Sequence, residues 1–174
     1  MNVGRTARTY PRRGVRVVSY QEFEYLDAPE LQAVKSSVRV VPLERVRAPL
    51  LAVALGELSN NKVPSSLLSL DANMGGELAR MLAAGDFNGK PDEVAMLYPS
   101  KGAKRVLLVG LAKSEEITRG AVRRSAAIAA RKATETGSQA MAFHLAPETH
   151  GGVTPADYGQ VVAEGAGQGA WRFS

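Results

Sequence analysis

The chain has no cysteine, which excludes disulfides and thiolate metal sites. Histidine is nearly as scarce: only His144 and His150 occur. They lie six residues apart on an expected strand and loop. A zincin needs two imidazoles one helical turn apart with a Glu between them, so the H-E-x-x-H geometry is missing. His144 reads as a core or edge histidine and His150 as a loop residue beside Gly151-Gly152. No apolar run reaches the ~18 residues of a membrane span. There is no Walker A motif. Arg105 to Gly110 looks like the opening of a dinucleotide-binding turn, but Gly110-Leu111-Ala112-Lys113-Ser114-Glu115 stops matching G-x-G-x-x-G after one glycine.

What remains is the composition of an ordinary soluble domain. At 174 residues, 45% hydrophobic and 22% charged, the chain suits one domain with a core of normal size. The net charge of +5 is uneven. The first sixteen residues hold Arg5, Arg8, Arg12, Arg13 and Arg16 and no acid. Such an arm could touch nucleic acid or an anionic surface, or serve as an organelle transit peptide. The leading expectation is a disordered extension over 1–35, or sequence preceding the true start, with the domain itself over 36–174.

Periodicity supplies the elements. Val38 to Val41 alternates weakly and is expected as a first strand. Leu50 to Leu55 is a continuous apolar run between Pro49 and Gly56, the pattern of a strand buried on both faces. Pro64 opens a short helix at Leu67 and Leu68. Asp71 or Asn73 is placed to cap the next, which carries Leu78, Met81 and Leu82 on one side and ends at Gly85. Val94 to Tyr98 and Val106 to Val109 read as an antiparallel pair joined by a turn at Pro99-Ser100-Lys101-Gly102. Thr118 caps the longest helix, with Val122, Ala126, Ala129 and Ala133 as a buried stripe that lets it lie close to a sheet. Ala140 to Leu145 is the last strand. Thr154-Pro155-Ala156-Asp157 starts the final helix, whose stripe of Tyr158, Val161, Val162 and Gly165 should face the sheet. Trp171 is expected to be at least partly buried. The order β-β-α-β-β-α-β-α gives an α/β fold, a mixed sheet flanked by helices on both faces.

Candidate chemistry is sparse. Gly75-Gly76 at a helix start could offer backbone N–H groups to an anion, and is set against a plain tight helix entry. Asp92-Glu93 and Glu115-Glu116 could be paired acids, although a turn and a helix N-terminus explain them. Arg119, Arg123, Arg124, Arg131 and Lys132 spread over more than half of the long helix, the pattern of a solvated face. No aromatics interleave with them, which argues against single-strand binding. Gly165, Gly167 and Gly169 are read as close helix packing.

Several segments together resemble the N-terminal domain of the leucyl aminopeptidase family of metallopeptidases. They are Leu70-Asp71 with Gly75-Gly76, Gly85-Asp86-Phe87-x-Gly89-Lys90, Tyr98-Pro99, and Arg105-Val106-Leu107-Leu108-Val109-Gly110-Leu111. The closing Gly165-x-x-x-Gly169-Ala170-Trp171-Arg172-Phe173 is similar to the family's G-x-x-x-G-A-Y-R-F, with Trp in place of Tyr. The resemblance covers about residues 36–173. It implies a macro-domain-like fold, in which Gly75-Gly76 would correspond to a region where macro domains hold ADP-ribose. It also implies a cytoplasmic parent enzyme that releases N-terminal amino acids from peptides, using two divalent metals (zinc or manganese) in a separate catalytic domain. The family signature N-T-D-A-E-G-R is absent here. No catalytic residue, metal ligand or cofactor therefore transfers to this chain, which alone is expected to be inactive. The implied role is bracing the catalytic domain and contributing to a homo-oligomer, a hexamer in the family. The alternatives are a stand-alone nucleotide or ADP-ribose module, and a DNA-binding accessory module, since some bacterial members bind DNA.

Overall fold

The computed structural model describes residues 35–113, 116–147 and 154–170. The expectations for the N-terminal arm, Glu115, His150, Gly151-Gly152 and Trp171 fall outside this set. The elements are β1 (Leu50–Leu55), α1 (Leu68–Asn73), α2 (Glu77–Ala84), β2 (Val94–Leu97), β3 (Val106–Gly110), α3 (Arg119–Glu135), β4 (Met141–Leu145) and α4 (Pro155–Ala170). Short 3-10 turns at Leu43–Arg45 and Ser65–Leu67 precede β1 and α1.

The sheet order is β2-β3-β1-β4. β1 lies between β3 and β4 and is parallel to both, while β2 runs antiparallel to β3. A strand with helix-covered sheet on both faces can carry no polar side chain without a buried partner. Leu50-Leu51-Ala52-Val53-Ala54-Leu55 meets that condition, and all six residues are buried.

Strand alternation divides the core. Leu51, Val53, Leu55, Val106 and Leu108 face α1 and α2, where they meet Leu70, Leu78, Leu82 and Phe87. Leu50, Ala52, Leu107 and Val109 face the other way, onto Ala129 and Ala133 of α3. At the far end Ala54 and Leu111 join Ile117, Val122 and Val161. The expected mixed sheet with helices on both faces is what forms.

Two expectations need correction. Val38–Val41 forms no strand, and Val40 is 72% exposed. β1 already has a neighbour on each side, and the segment pairs with neither outer strand. The final helix also does not lie wholly on the sheet. Tyr158, Val161 and Val162 reach Phe143 and Leu145 of β4, but Gly165 and Gly169 rest on α3. The alanine-rich α3 is therefore sandwiched, with one alanine side on the sheet and another under α4.

Candidate functional site

The α2 entry is built by the chain itself. Gly75 (φ 67°) and Gly76 (φ 78°) both take left-handed backbone, which only glycine adopts cheaply. This double turn folds α2 back over the end of α1. Asp71, buried in α1, then lies beneath the first turn of α2. Its Oδ1 accepts from the Leu78 N–H (2.9 Å) and the Ala79 N–H (3.2 Å). These are the unsatisfied donors of a helix start, which a bound anion would use. A phosphate at Gly75-Gly76 would have to compete with a carboxylate already in place. Asp71 was legible as a cap from sequence; that it caps across the glycine turn was not.

The second constellation is the loop from Gly85 to Glu93. Gly85 ends α2 in a left-handed turn (φ 76°), as expected. Phe87 is fully buried among the α1–α2 side chains. Glu93 Oε2 accepts from the N–H groups of Asn88 and Lys90, each at 3.0 Å. Added Cβ atoms at Gly89 and Gly110 would collide with backbone, meeting the Gly56 carbonyl carbon at 2.8 Å and the Gly89 carbonyl carbon at 2.7 Å. The glycines thus allow three backbone segments to stack, and Glu93 fastens the loop. The neighbouring Asp92 forms an ion pair with Arg124 of α3. Both acids of this pair are therefore engaged with their surroundings. No local pattern signals the Asp92–Arg124 contact, because its partners are 32 residues apart.

The third constellation is the α3–α4 seam. Arg119 pairs with Asp157, and Arg123 pairs with Glu164 at 2.7 Å. The Thr154 hydroxyl donates to Asp157 at 2.6 Å, and it and the Arg119 guanidinium hold that carboxyl below its ordinary value. Gln160 donates to Glu164 at 2.8 Å and, with Arg123, lowers that carboxyl too. Lys132 pairs with Glu135. Four of the five basic groups singled out on α3 thus have carboxylate partners, which reduces the field available to a nucleic-acid backbone. Burial raises the Tyr158 phenol.

His144 sits on β4 in register with Val53. Glu116 is exposed in the turn before α3. Among the described residues no group of three or more His, Asp or Glu is placed to hold a metal ion. No helix among them is long and apolar enough to cross a membrane.

The class this geometry defines is an α/β domain with a mixed four-stranded sheet between two helical layers. The family model for the cytosol aminopeptidase family, N-terminal domain, matches residues 50–174. The chain belongs to that family, in its N-terminal domain. A probable cytosol aminopeptidase of Alkaliphilus oremlandii is 29% identical over 126 residues, covering 70% of this chain and 25% of that protein. One from Thermosynechococcus vestitus is 34% identical over 99 residues, covering 56% and 19%. Leucine aminopeptidase 3, chloroplastic, of Arabidopsis thaliana is 47% identical over 58 residues, covering 32% and 10%. The chain thus spans a quarter or less of the length of these relatives. A tomato leucine aminopeptidase mutant shares the fold, with a TM-score of 0.64 at 22% identity over 77% of this chain and 27% of that one.

Proposed function

We propose that this chain acts as the non-catalytic N-terminal domain of a leucyl aminopeptidase, bracing the catalytic domain and contributing to oligomer assembly. The observation that carries the reading is the family match, which runs from β1 through α4 and so includes every strand and helix of the sheet and its two layers. In this reading the parent enzyme is cytoplasmic and releases N-terminal amino acids from peptides. Its two divalent metals, zinc or manganese, belong to the catalytic domain. The domain has a macro-like layout, and its glycine contacts at Gly89, Gly110, Gly165 and Gly169 serve rigidity, which suits a brace.

The test is reconstitution. The catalytic domain of a related cytosol aminopeptidase is prepared without its own N-terminal domain and mixed with this chain in the presence of Mn²⁺. The expected result is co-elution, a higher melting temperature for the catalytic domain, and a larger assembly by light scattering. Separate elution with an unchanged melt would overturn the bracing role. A thermal shift of this chain with ADP-ribose, lost on substituting Gly76, would favour a nucleotide-binding module instead.

A further inference from the structure

β2 forms one edge of the sheet, and among the described residues nothing pairs with its outer side. Soluble proteins usually protect such an edge with a charge, a proline or a bulge. Val94-Ala95-Met96-Leu97 itself contains neither charge nor proline, and its register with β3 is unbroken from Val94–Val109 to Leu97–Val106; the bulge at Asp92-Glu93, two residues opposite Gly110, and Pro99 lie just outside it. The Gly110 N–H donates to the Glu93 carbonyl. Bonded and non-bonded pairs alternate along an antiparallel ladder. Ala95 and Leu97 therefore bond inward, and the N–H and C=O groups of Val94 and Met96 point away from β3. Val94 is 38% exposed and Tyr98, just past the strand, 67%. Open grooves flank the strand on both faces, about 510 Å³ beside α2 and about 280 Å³ beside α3.

We propose that β2 is a self-association edge, pairing antiparallel with β2 of a second copy across a two-fold axis at Met96. Two four-stranded sheets then become one continuous sheet. The register follows from the backbone, because only residues whose polar groups point outward can face one another. Centring on Met96 sets it against its twin and sets Val94 against Tyr98 in both halves. The exposed β-branched and aromatic side chains of this edge then cover each other as cross-strand pairs. A copy of this chain fits as the occupant because Val94 and Tyr98, exposed at the two ends of the same edge, meet each other only across a two-fold axis. This contact needs only the present chain and stands apart from the aminopeptidase reading.

The absence of cysteine makes the register testable, because one introduced thiol reports one position. Facing bonded residues have Cα atoms ~5.5 Å apart, within the ~4.4–6.8 Å that a disulfide spans. Under mild oxidation with diamide, full-length Met96→Cys should cross-link to twice the 18.5 kDa chain mass. Val94→Cys and Tyr98→Cys should each resist cross-linking alone and couple when mixed. In light scattering the unmodified chain should double its mass as concentration rises. Tyr98→Lys should raise the dissociation constant by about tenfold or more while the melting temperature of the dilute monomer stays unchanged. A chain that remains monomeric at every concentration would overturn the proposal. So would a dimer that leaves Met96→Cys uncross-linked and is indifferent to Tyr98→Lys, since the contact would then lie elsewhere.

Discussion

Replacing Gly165 by alanine tests the α3–α4 seam most directly. A Cβ there would lie 2.9 Å from Ala126 Cβ and 2.9 Å from the Arg123 carbonyl carbon, and nearer still to the Arg123 oxygen. Carbon atoms pack best at ~3.5–4.0 Å, so the deficit is roughly an ångström. The obstacles are backbone and an alanine methyl, which cannot rotate away, so α4 has to lift from α3. Overpacking of this kind costs about 1–3 kcal/mol. The substitution also recovers about 0.5–1 kcal/mol of helix propensity. The net is a loss centred near about 1 kcal/mol and reaching about 2.5 kcal/mol, at about 2–4 °C per kcal/mol in melting temperature for a chain of this size. Gly167 is the internal control, because an added Cβ there meets nothing within 4 Å. Gly167→Ala should gain about 0.5–1 kcal/mol from propensity alone. The same substitution two residues apart in one helix thus has opposite signs. Gly169→Ala, whose Cβ would meet Ala127 Cα at 2.7 Å, should behave like Gly165→Ala. The double variant should cost less than the sum, since lifting α4 relieves both clashes. Urea unfolding followed by far-UV circular dichroism reads the four variants against the unmodified chain. A Gly165→Ala chain as stable as the unmodified one would refute the close-packing argument.

Three further outcomes are expected. Asp71→Ala should cost about 1–2 kcal/mol in the same urea assay, because the Leu78 and Ala79 N–H groups lose their acceptor, and Asp71→Asn should recover part of this. Asp157 and Glu164 have carboxyls lowered on folding, so their contribution is full at neutral pH and is lost as pH falls through the folded values. The melting temperature should therefore drop between roughly pH 5 and pH 3, and less so in the Asp157→Asn, Glu164→Gln double variant; an equal drop in both would show the pairs to be irrelevant. The chain alone, assayed on leucyl-p-nitroanilide with added Mn²⁺ or Zn²⁺, should show no turnover, and chelator-sensitive activity that scales with protein would contradict this.

The sequence by itself determined the elements whose signals are local. Leu50–Leu55 could only be a strand buried on both faces, because it offers no polar side for water. Thr118 caps α3 as expected, its Oγ1 accepting from the Ala121 N–H at 3.2 Å, because capping spans three residues of one chain segment. The alanine stripe of α3 and the helix-ending turn at Gly85 were legible for the same reason, and the family segments placed the fold. The tertiary structure decided what depends on residues distant in sequence. Val38–Val41 has strand-like alternation, but a strand exists only where an edge receives it, and none does here. Glycine identity could suggest close packing at Gly165, Gly167 and Gly169, yet only the seating of α4 on α3 separates the two that touch from the one that does not. Asp71 reaches α2 through two left-handed glycines, and Asp92 reaches Arg124 across the sheet's end. Local propensity acts within a turn or a strand, whereas these contacts are fixed by where whole elements come to rest, which no single segment encodes.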